Sequence, residues 1–164
     1  MSTRDEFSEY VAARRPLLYR TAFVLCGDAH RAEDLVQTVL TKLYVHWPRV
    51  SRADSVDGYV RTMLVNADID AKRRPWRRER TGLEGFDHPT STGDSDGVLD
   101  LRDALRGLAA GQRQVVVLRH LWGLSVDETA AELGIAPGTV KSQTSDALRR
   151  LREVLAVSSP EGQS

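Results

Sequence analysis

The most constraining feature of the sequence is a pair of helical patterns separated by a glycine, within residues 123–155. Ser125 precedes Glu128 by three residues, which is the spacing of a capping box that starts a helix. Gly134 fits the end of that helix, and Pro137 fits the first turn of the next one. The segment therefore predicts a helix-turn-helix whose second helix has a polar outer face.

A helix-turn-helix places its second helix in the major groove, so we expect this helix to bind DNA. Lys141 suits guanine or a phosphate, Gln143 suits adenine, and the helix N-terminus with Thr139 favours a phosphate. The residues expected to face outward are Thr139, Lys141, Ser142, Gln143, Ser145, Asp146 and Arg149. A helical hairpin that does not bind DNA is the alternative.

The remaining sequence predicts an all-α protein, because no alternating pattern is long enough to build a sheet. Upstream of the helix-turn-helix, helices are expected at residues 7–11, 17–25, 32–47, 55–74, 98–108 and 112–122. Asp28 is the expected N-cap of the helix at 32–47, and Pro48 is expected to stop it. Pro16 fits the first turn of the helix at 17–25, and Gly27 fits its end.

Charge is distributed unevenly behind a net charge of zero. Residues 72–80 hold six basic side chains and one acidic side chain around Trp76, which suits phosphates and a stacked base. The alternative to nucleic-acid binding is that residues 72–80 form a charged segment exposed to solvent. Residues 81–103 hold six acidic side chains and one basic side chain. Within them, residues 81–97 are rich in Gly, Ser, Thr, Asp and Pro, which predicts a flexible acidic linker between two small helical domains.

Several classes of protein are excluded by what the sequence lacks. The lone cysteine, Cys26, leaves no internal disulfide or multi-cysteine zinc site, and the four histidines lack ligand spacing, so we expect no metal and no cofactor. Cys26 is interpreted as a core residue, and no catalytic constellation indicates an enzyme. No apolar run approaches the roughly 20 residues of a membrane span, and no signal peptide starts the chain, so we expect a cytoplasmic protein.

Three stretches resemble, in order, the functional segments of bacterial sigma factors. AEDLVQTVLTKLYVHW is similar to the segment that binds core RNA polymerase, and DGYVRTMLVNADIDAKRR is similar to the segment that melts and reads the −10 element. GLSVDETAAELGIAPGTVKSQTSDALRRLREVL resembles the −35-reading domain. This layout resembles the extracytoplasmic-function (group IV) sigma factors of the sigma-70 family. ARRPLLYRTAFVLCGDAHRAEDLVQ and GTVKSQTS are most similar to their actinobacterial SigE-type branch.

The resemblance implies a division into domains and a set of partners. Residues 1–80 would form sigma region 2, residues 81–97 the linker, residues 98–157 sigma region 4, and residues 158–164 a tail. The implied partners are promoter DNA, the β′ clamp helices and β flap of the polymerase core, and an anti-sigma factor. Because the polymerase would supply much of the affinity for DNA, we expect the neutral chain to bind DNA weakly by itself.

The resemblance also implies roles for individual residues. The motif that docks on the clamp helices comprises Asp34, Leu35, Val36 and Gln37. The implied −10 contacts are Ser51, Arg52, Asp54, Ser55, Arg61, Asn66, Lys72, Arg73 and Arg74. Among these, the loop at 50–55 would hold an extruded base, Asn66 would read the non-template strand, and the basic residues would neutralise phosphates. The outer face of the second helix of the helix-turn-helix would read the −35 element.

The chain departs from the family at two places. Relatives usually carry Trp near Tyr59, and they often carry arginine where this chain has Gln143, Asp146 and Leu148. The second departure predicts an unusual or weak −35 contact.

Two other classes of protein are alternatives to a sigma factor. A stand-alone helix-turn-helix regulator of the response-regulator type shares the C-terminal pattern but needs a strand-rich receiver domain, whereas residues 1–71 predict helices. A small helical enzyme is the other alternative, and no motif supports it.

Overall fold

The computed structural model describes residues 2–73 and 96–158, and the chain divides into two compact units, Met1–Leu83 and Glu84–Ser164. Every regular element in the described ranges is a helix, which confirms the all-α prediction. None of these helices combines the length and the apolar character that a membrane span requires.

Within residues 2–73, the N-terminal unit contains three helices: α1 (Thr3–Cys26), α2 (Ala29–Val50) and α3 (Val56–Arg73). Gly27 ends α1 in the left-handed region at φ 72°, which a residue without a Cβ adopts at little cost. The Asp28 side chain then accepts a hydrogen bond from the Arg31 N–H and starts α2. Both predicted helix signals are confirmed.

Apolar side chains from all three helices form the core of this unit. The fully buried members include Leu18, Leu25, Val39, Leu43, Val60 and Leu64. Cys26 is buried as predicted, and its Sγ donates to the Asp28 carbonyl at 3.3 Å. Burial raises the pKa of the Cys26 thiol to about 11, so the thiol stays protonated near neutral pH. The side chain therefore behaves as a small core residue.

Both proline predictions are wrong. The helices expected at 7–11 and 17–25 are one continuous helix that contains Pro16, and α2 continues past Pro48 to Val50. A proline removes one N–H donor from a helix, but that loss can be offset where both flanking turns bury apolar side chains. Leu18 and Trp47, which are buried beside the two prolines, supply such packing.

A charged cluster joins the first and third helices. The Tyr10 hydroxyl donates to Asp57 Oδ1 at 2.7 Å, and the Arg14 guanidinium donates to both carboxylate oxygens, Nε to Oδ1 at 3.0 Å and Nη2 to Oδ2 at 2.9 Å. A two-pronged Arg–carboxylate pair fixes orientation as well as distance. The contact therefore sets how the start of α3 lies against α1.

The first helices described in the C-terminal unit are α4 (Asp96–Arg106) and α5 (Ala110–Val116). A π-helical turn, Val117–Leu121, continues α5, whereas the sequence predicted one regular helix at 112–122. The Arg119 Nη1 closes the segment that follows by donating to the Leu124 carbonyl at 2.6 Å. Helices α6 (Val126–Leu133) and α7 (Pro137–Ser158) complete the unit.

The turn between α6 and α7 follows the sequence signals closely. The capping box is present, since Ser125 Oγ accepts from the Glu128 N–H at 3.0 Å and Glu128 accepts from the Ser125 N–H at 2.8 Å. Gly134 ends α6 at φ 69°, and the Ile135 N–H bonds to the Ala130 carbonyl at 3.1 Å. The predicted helix-turn-helix geometry is confirmed.

Two glycines of this motif give a matched test of the turn. Gly134→Ala should lower the free energy of unfolding by about 1 kcal/mol, because a side chain strains a positive φ. Gly138→Ala should leave stability unchanged or raise it by up to about 1 kcal/mol, since an added Cβ meets nothing within 4 Å. Urea unfolding of both variants measures the difference, and equal stabilities would contradict the assigned turn.

The Asp57 cluster predicts a dependence of stability on pH. Burial raises the pKa of Asp57, but hydrogen bonds from Arg14 and Tyr10 and the charges of Arg14 and Arg61 outweigh burial and lower it. A carboxyl with a lowered folded pKa stabilises the fold above its unfolded pKa of about 4, and that contribution disappears as pH falls through the folded pKa.

We therefore expect Asp57→Asn to cost about 1–2 kcal/mol at neutral pH. The difference from wild type should shrink as pH falls below about 4. Urea unfolding followed by circular dichroism between pH 7 and pH 2 measures both values, and a difference that stays constant with pH would contradict the assignment.

Candidate nucleic-acid and protein-binding surfaces

The second and third turns of α2 carry the motif that resembles a polymerase-docking segment. Asp34 and Gln37 are exposed, whereas Leu35 and Val36 are buried at 6% and 3% exposure. Successive residues of a helix point about 100° apart, so four consecutive residues cannot all face outward. The implied docking role therefore narrows to Asp34 and Gln37, and the two apolar residues hold α2 in the core.

Exposed apolar side chains extend this face of α2 toward its C-terminus. Tyr44 is 55% exposed and Val45 is 67% exposed, although the sequence pattern put Tyr44 on the inward stripe. The Tyr44 ring packs edge-on against Phe7 at 5.1 Å between centroids. We define the docking face of α2 as Asp34, Gln37, Tyr44 and Val45. Val45 lies outside the inward stripe in the sequence, and that signal could have revealed the apolar part of this face.

The loop between α2 and α3 presents the residues that resemble a base-holding loop. Arg52, Asp54 and Ser55 are exposed and Ser51 is half-buried, whereas Val50 is fully buried. Ser55 Oγ accepts a hydrogen bond from the Gly58 N–H at 2.9 Å. Ser55 therefore caps the start of α3, which leaves that hydroxyl less available to DNA than the sequence suggested.

Helix α3 carries the next group of candidate DNA contacts. Asn66 and Arg73 are exposed, and Arg61 is half-buried. The remaining members of the basic run, from Arg74 to Arg80, lie outside the described residues.

Lys72 differs from its basic neighbours. Its Nζ donates to Asp68 Oδ2 at 2.8 Å and to the Leu25 carbonyl at 3.1 Å, which joins the C-terminal ends of α3 and α1. Asp68 is only 4% exposed, so Lys72 pairs with a carboxylate that is almost fully buried. These two hydrogen bonds give Lys72 a structural role, which competes with the phosphate contact that the resemblance implies. Sequence reasoning missed this pairing because Lys72 and Leu25 meet only in the folded unit.

The outer face of α7 is narrower than the sequence predicted. Lys141, Ser142, Ser145 and Arg149 are exposed, and Thr139 is half-buried. Gln143 was expected to face outward, but its amide lies over Gly111 of α5, where an added Cβ would be 3.1 Å from Gln143 Oε1. Gln143 lies about 100° or more around the helix from the four exposed candidates named above. Packing of its amide within the unit therefore competes with base contact.

Asp146 has a partner on its own helix. Arg149 Nη2 donates to Asp146 Oδ1 at 3.2 Å; the Arg149 side chain is largely exposed and the Asp146 side chain is about half exposed. The carboxylate that would otherwise repel DNA phosphates is therefore partly neutralised by a neighbouring guanidinium.

The two units match two successive family models. Residues 10–78 match Sigma-70 region 2, and residues 99–151 match Sigma-70, region 4. A helical unit that matches region 2, followed by a helix-turn-helix unit that matches region 4, thus defines a two-domain transcription initiation factor of the sigma-70 class.

Sequence relatives and a solved structure match nearly the whole length of the chain. The chain is 39% identical to the RNA polymerase sigma-E factor of Streptomyces coelicolor, over 92% of this chain and 86% of that protein. It is 35% identical to the ECF RNA polymerase sigma factor SigL of Mycobacterium tuberculosis, over 85% of this chain and 82% of that one. The sigma factor RpoE of Bartonella quintana, solved in complex with the anti-sigma factor NepR, matches with a TM-score of 0.72 and 30% identity, covering 93% and 98% of the two chains.

The chain belongs to the extracytoplasmic-function (ECF) RNA polymerase sigma factors. This confirms the sigma-factor interpretation over a stand-alone regulator.

The contacts of Lys72 predict that its loss destabilises the fold more than the loss of Arg73. Lys72→Met should lower the free energy of unfolding by about 1–3 kcal/mol, because it leaves the buried Asp68 unpaired. Adding Asp68→Asn should recover most of that loss. The matched control, Arg73→Met, removes an exposed charge and should change stability by less than about 0.5 kcal/mol. Equal losses from the two single variants, measured by urea unfolding, would contradict the structural role of Lys72.

Proposed function

We propose that the chain docks on the β′ clamp helices of the polymerase core through Asp34 and Gln37, and that the apolar side chains of Tyr44 and Val45 extend the contact. The exposed Asp34 carboxylate suits a basic partner, and exposed aromatic and aliphatic side chains suit the centre of a protein interface. The observation that carries the proposal is the exposure of this mixed face of α2, at 55% and 67% for the two apolar residues.

The −10 element is read by the loop after α2 and by α3. Arg52 and Asp54 are exposed on the loop, and Asn66 and Arg73 are exposed on α3, so polar and basic groups are available to a flipped base and a phosphate backbone. The role implied for Lys72 is not carried over, since its ammonium is bonded within the unit.

The −35 element is read by α7, with the β flap of the core holding this unit. Lys141, Ser142 and Ser145 are exposed within the first turns of the helix, which is the part that contacts base edges in a helix-turn-helix. Gln143 and Asp146 are engaged within the unit, so Lys141 is the residue best placed to contact guanine.

The chain itself catalyses nothing in this proposal, because nucleotide addition belongs to the polymerase. Its place of action is the cytoplasm, where the polymerase transcribes. An anti-sigma factor is a further expected partner, since the sigma factor RpoE of Bartonella quintana was solved with one bound.

Reconstituted transcription tests this function directly. Core polymerase from the source organism, the chain and a library of genomic promoter fragments should yield run-off transcripts from particular fragments. Tight binding of the free chain to duplex DNA with no transcript from any fragment would instead favour the stand-alone regulator.

Asp34→Arg tests the docking face. The reversed charge should weaken association with core polymerase at least tenfold, or by about 1.4 kcal/mol, because it meets basic clamp residues. Glu9→Arg makes the same change at an exposed position of α1 and is the matched control. Association is measured by fluorescence anisotropy of labelled chain, and equal affinities for the two variants would contradict the assignment.

Asp146→Arg tests the −35 contact. The substitution removes the partner of Arg149 and adds a positive charge, so promoter affinity of the reconstituted polymerase should rise and its preference at −35 should change. Binding to promoters that differ only in the −35 element measures both effects. Unchanged affinity and preference would show that Asp146 plays no part in an unusual −35 contact.

A further inference from the structure

The exposed loop at residues 51–55 is anchored at its first end by the last turn of α2. The Ser51 N–H bonds to the Trp47 carbonyl at 2.8 Å, and the Ala53 N–H bonds to the Val50 carbonyl at 2.9 Å. Val50 and Trp47 are buried, so this end of the loop is attached to the core. The backbone of the loop therefore leaves α2 along a fixed path.

The other end of the loop is anchored by α3. Ser55 caps that helix through the Gly58 N–H, and the Ser55 carbonyl accepts from the Tyr59 N–H at 3.2 Å. The Tyr59 hydroxyl also accepts a hydrogen bond from Arg49 Nη2 at 2.8 Å, which ties the start of α3 to the end of α2.

Asp57 holds this second end against α1. It lies in the first turn of α3, two residues beyond Ser55, and receives the fork of Arg14 together with the Tyr10 hydroxyl. Tyr10 is itself packed against Trp47 at 5.6 Å between ring centroids. Helices α1 and α3 thus meet at the Asp57 carboxylate beside the loop, and α2 packs on one of its partners through Trp47.

The contact between Asp57 and Arg14 fixes the orientation of α3 against α1 more than it adds to the stability of the unit. The Asp57 and Arg14 side chains are 27% and 42% exposed, so solvent screens the Coulomb energy of the pair. A two-pronged guanidinium–carboxylate contact nevertheless fixes the rotation of one partner relative to the other. A small rotation of the first turn of α3 would move the loop, because Ser55 is bonded to that turn.

We propose that Asp57 is a positioning residue for promoter reading: through Arg14 and Tyr10 it fixes the start of α3, and thereby holds the 51–55 loop in the shape that accepts an extruded −10 base. This inference rests on the proposed function of the loop. Asp57 itself is two residues outside the loop and need not touch DNA. Its effect is on discrimination among bases, since a displaced pocket loses the geometry that separates one base from another.

The experiment compares four forms of the full chain bound to core polymerase. They are the wild type, Asp57→Asn, Val60→Ala and Glu9→Gln. Asp57→Asn keeps the shape of the side chain but loses the charged fork. Val60→Ala destabilises the same helix from the core, where Val60 is fully buried, without removing a hydrogen bond of the loop. Glu9→Gln neutralises an exposed acid beside Tyr10.

Two readouts are taken for each form, at a temperature where circular dichroism shows all four folded. The first is affinity for core polymerase. The second is the ratio of open-complex formation on a cognate promoter to that on promoters with one −10 base replaced. Asp57→Asn should lower this ratio about tenfold while its affinity for core stays within about twofold of wild type. Val60→Ala and Glu9→Gln should keep the wild-type ratio.

Each outcome decides a different claim. If wild type does not discriminate among −10 bases, the proposed role of the loop fails, and the inference fails with it. If wild type discriminates and Asp57→Asn does so equally well, only the positioning role is wrong. An equal loss of the ratio in Asp57→Asn and Val60→Ala would also overturn the inference, because it would trace the effect to stability alone.

Discussion

The N-terminal unit depends on the carboxylate of Asp57, which fixes the start of α3 against α1 beside the exposed loop. Apolar burial holds α1, α2 and α3 together, but burial is non-directional and tolerates small rotations. The hydrogen bonds from Tyr10 and Arg14 are directional, and they act on the first turn of α3, where the exposed loop ends. The loop and the candidate DNA contacts on α3 therefore inherit their placement from this contact.

Local signals predicted the fold better than they predicted the surfaces. The caps at Asp28 and Ser125 and the left-handed glycines at Gly27 and Gly134 were correct, because each depends on residues within one helical turn. Pro16 and Pro48 misled the helix boundaries, because the cost of a proline is weighed against packing that sequence periodicity does not measure. The π-helical turn at Val117–Leu121 also had no signal in the sequence.

The candidate sites show the same division between local and long-range information. Lys72 belongs to a basic run in the sequence, yet it bonds to Leu25, a residue 47 positions away. Gln143 suits adenine by residue type, yet Gly111 of another helix leaves room for its amide. Leu35 and Val36 belong to a docking motif, yet they face the core. In each case a long-range contact decides whether a side chain is available to a partner.

A net charge of zero gives the chain little long-range attraction for DNA. Lys72 and Arg149 each have a carboxylate partner within their own unit, which offsets part of their attraction for phosphates. We therefore expect the chain to depend on its polymerase for affinity and to supply the choice of sequence. The most direct measurement compares the affinities of free chain and of polymerase-bound chain for one promoter duplex at the same salt concentration. The account predicts specific binding by the bound form that is at least about a hundredfold tighter; equal affinities of the two forms would contradict it.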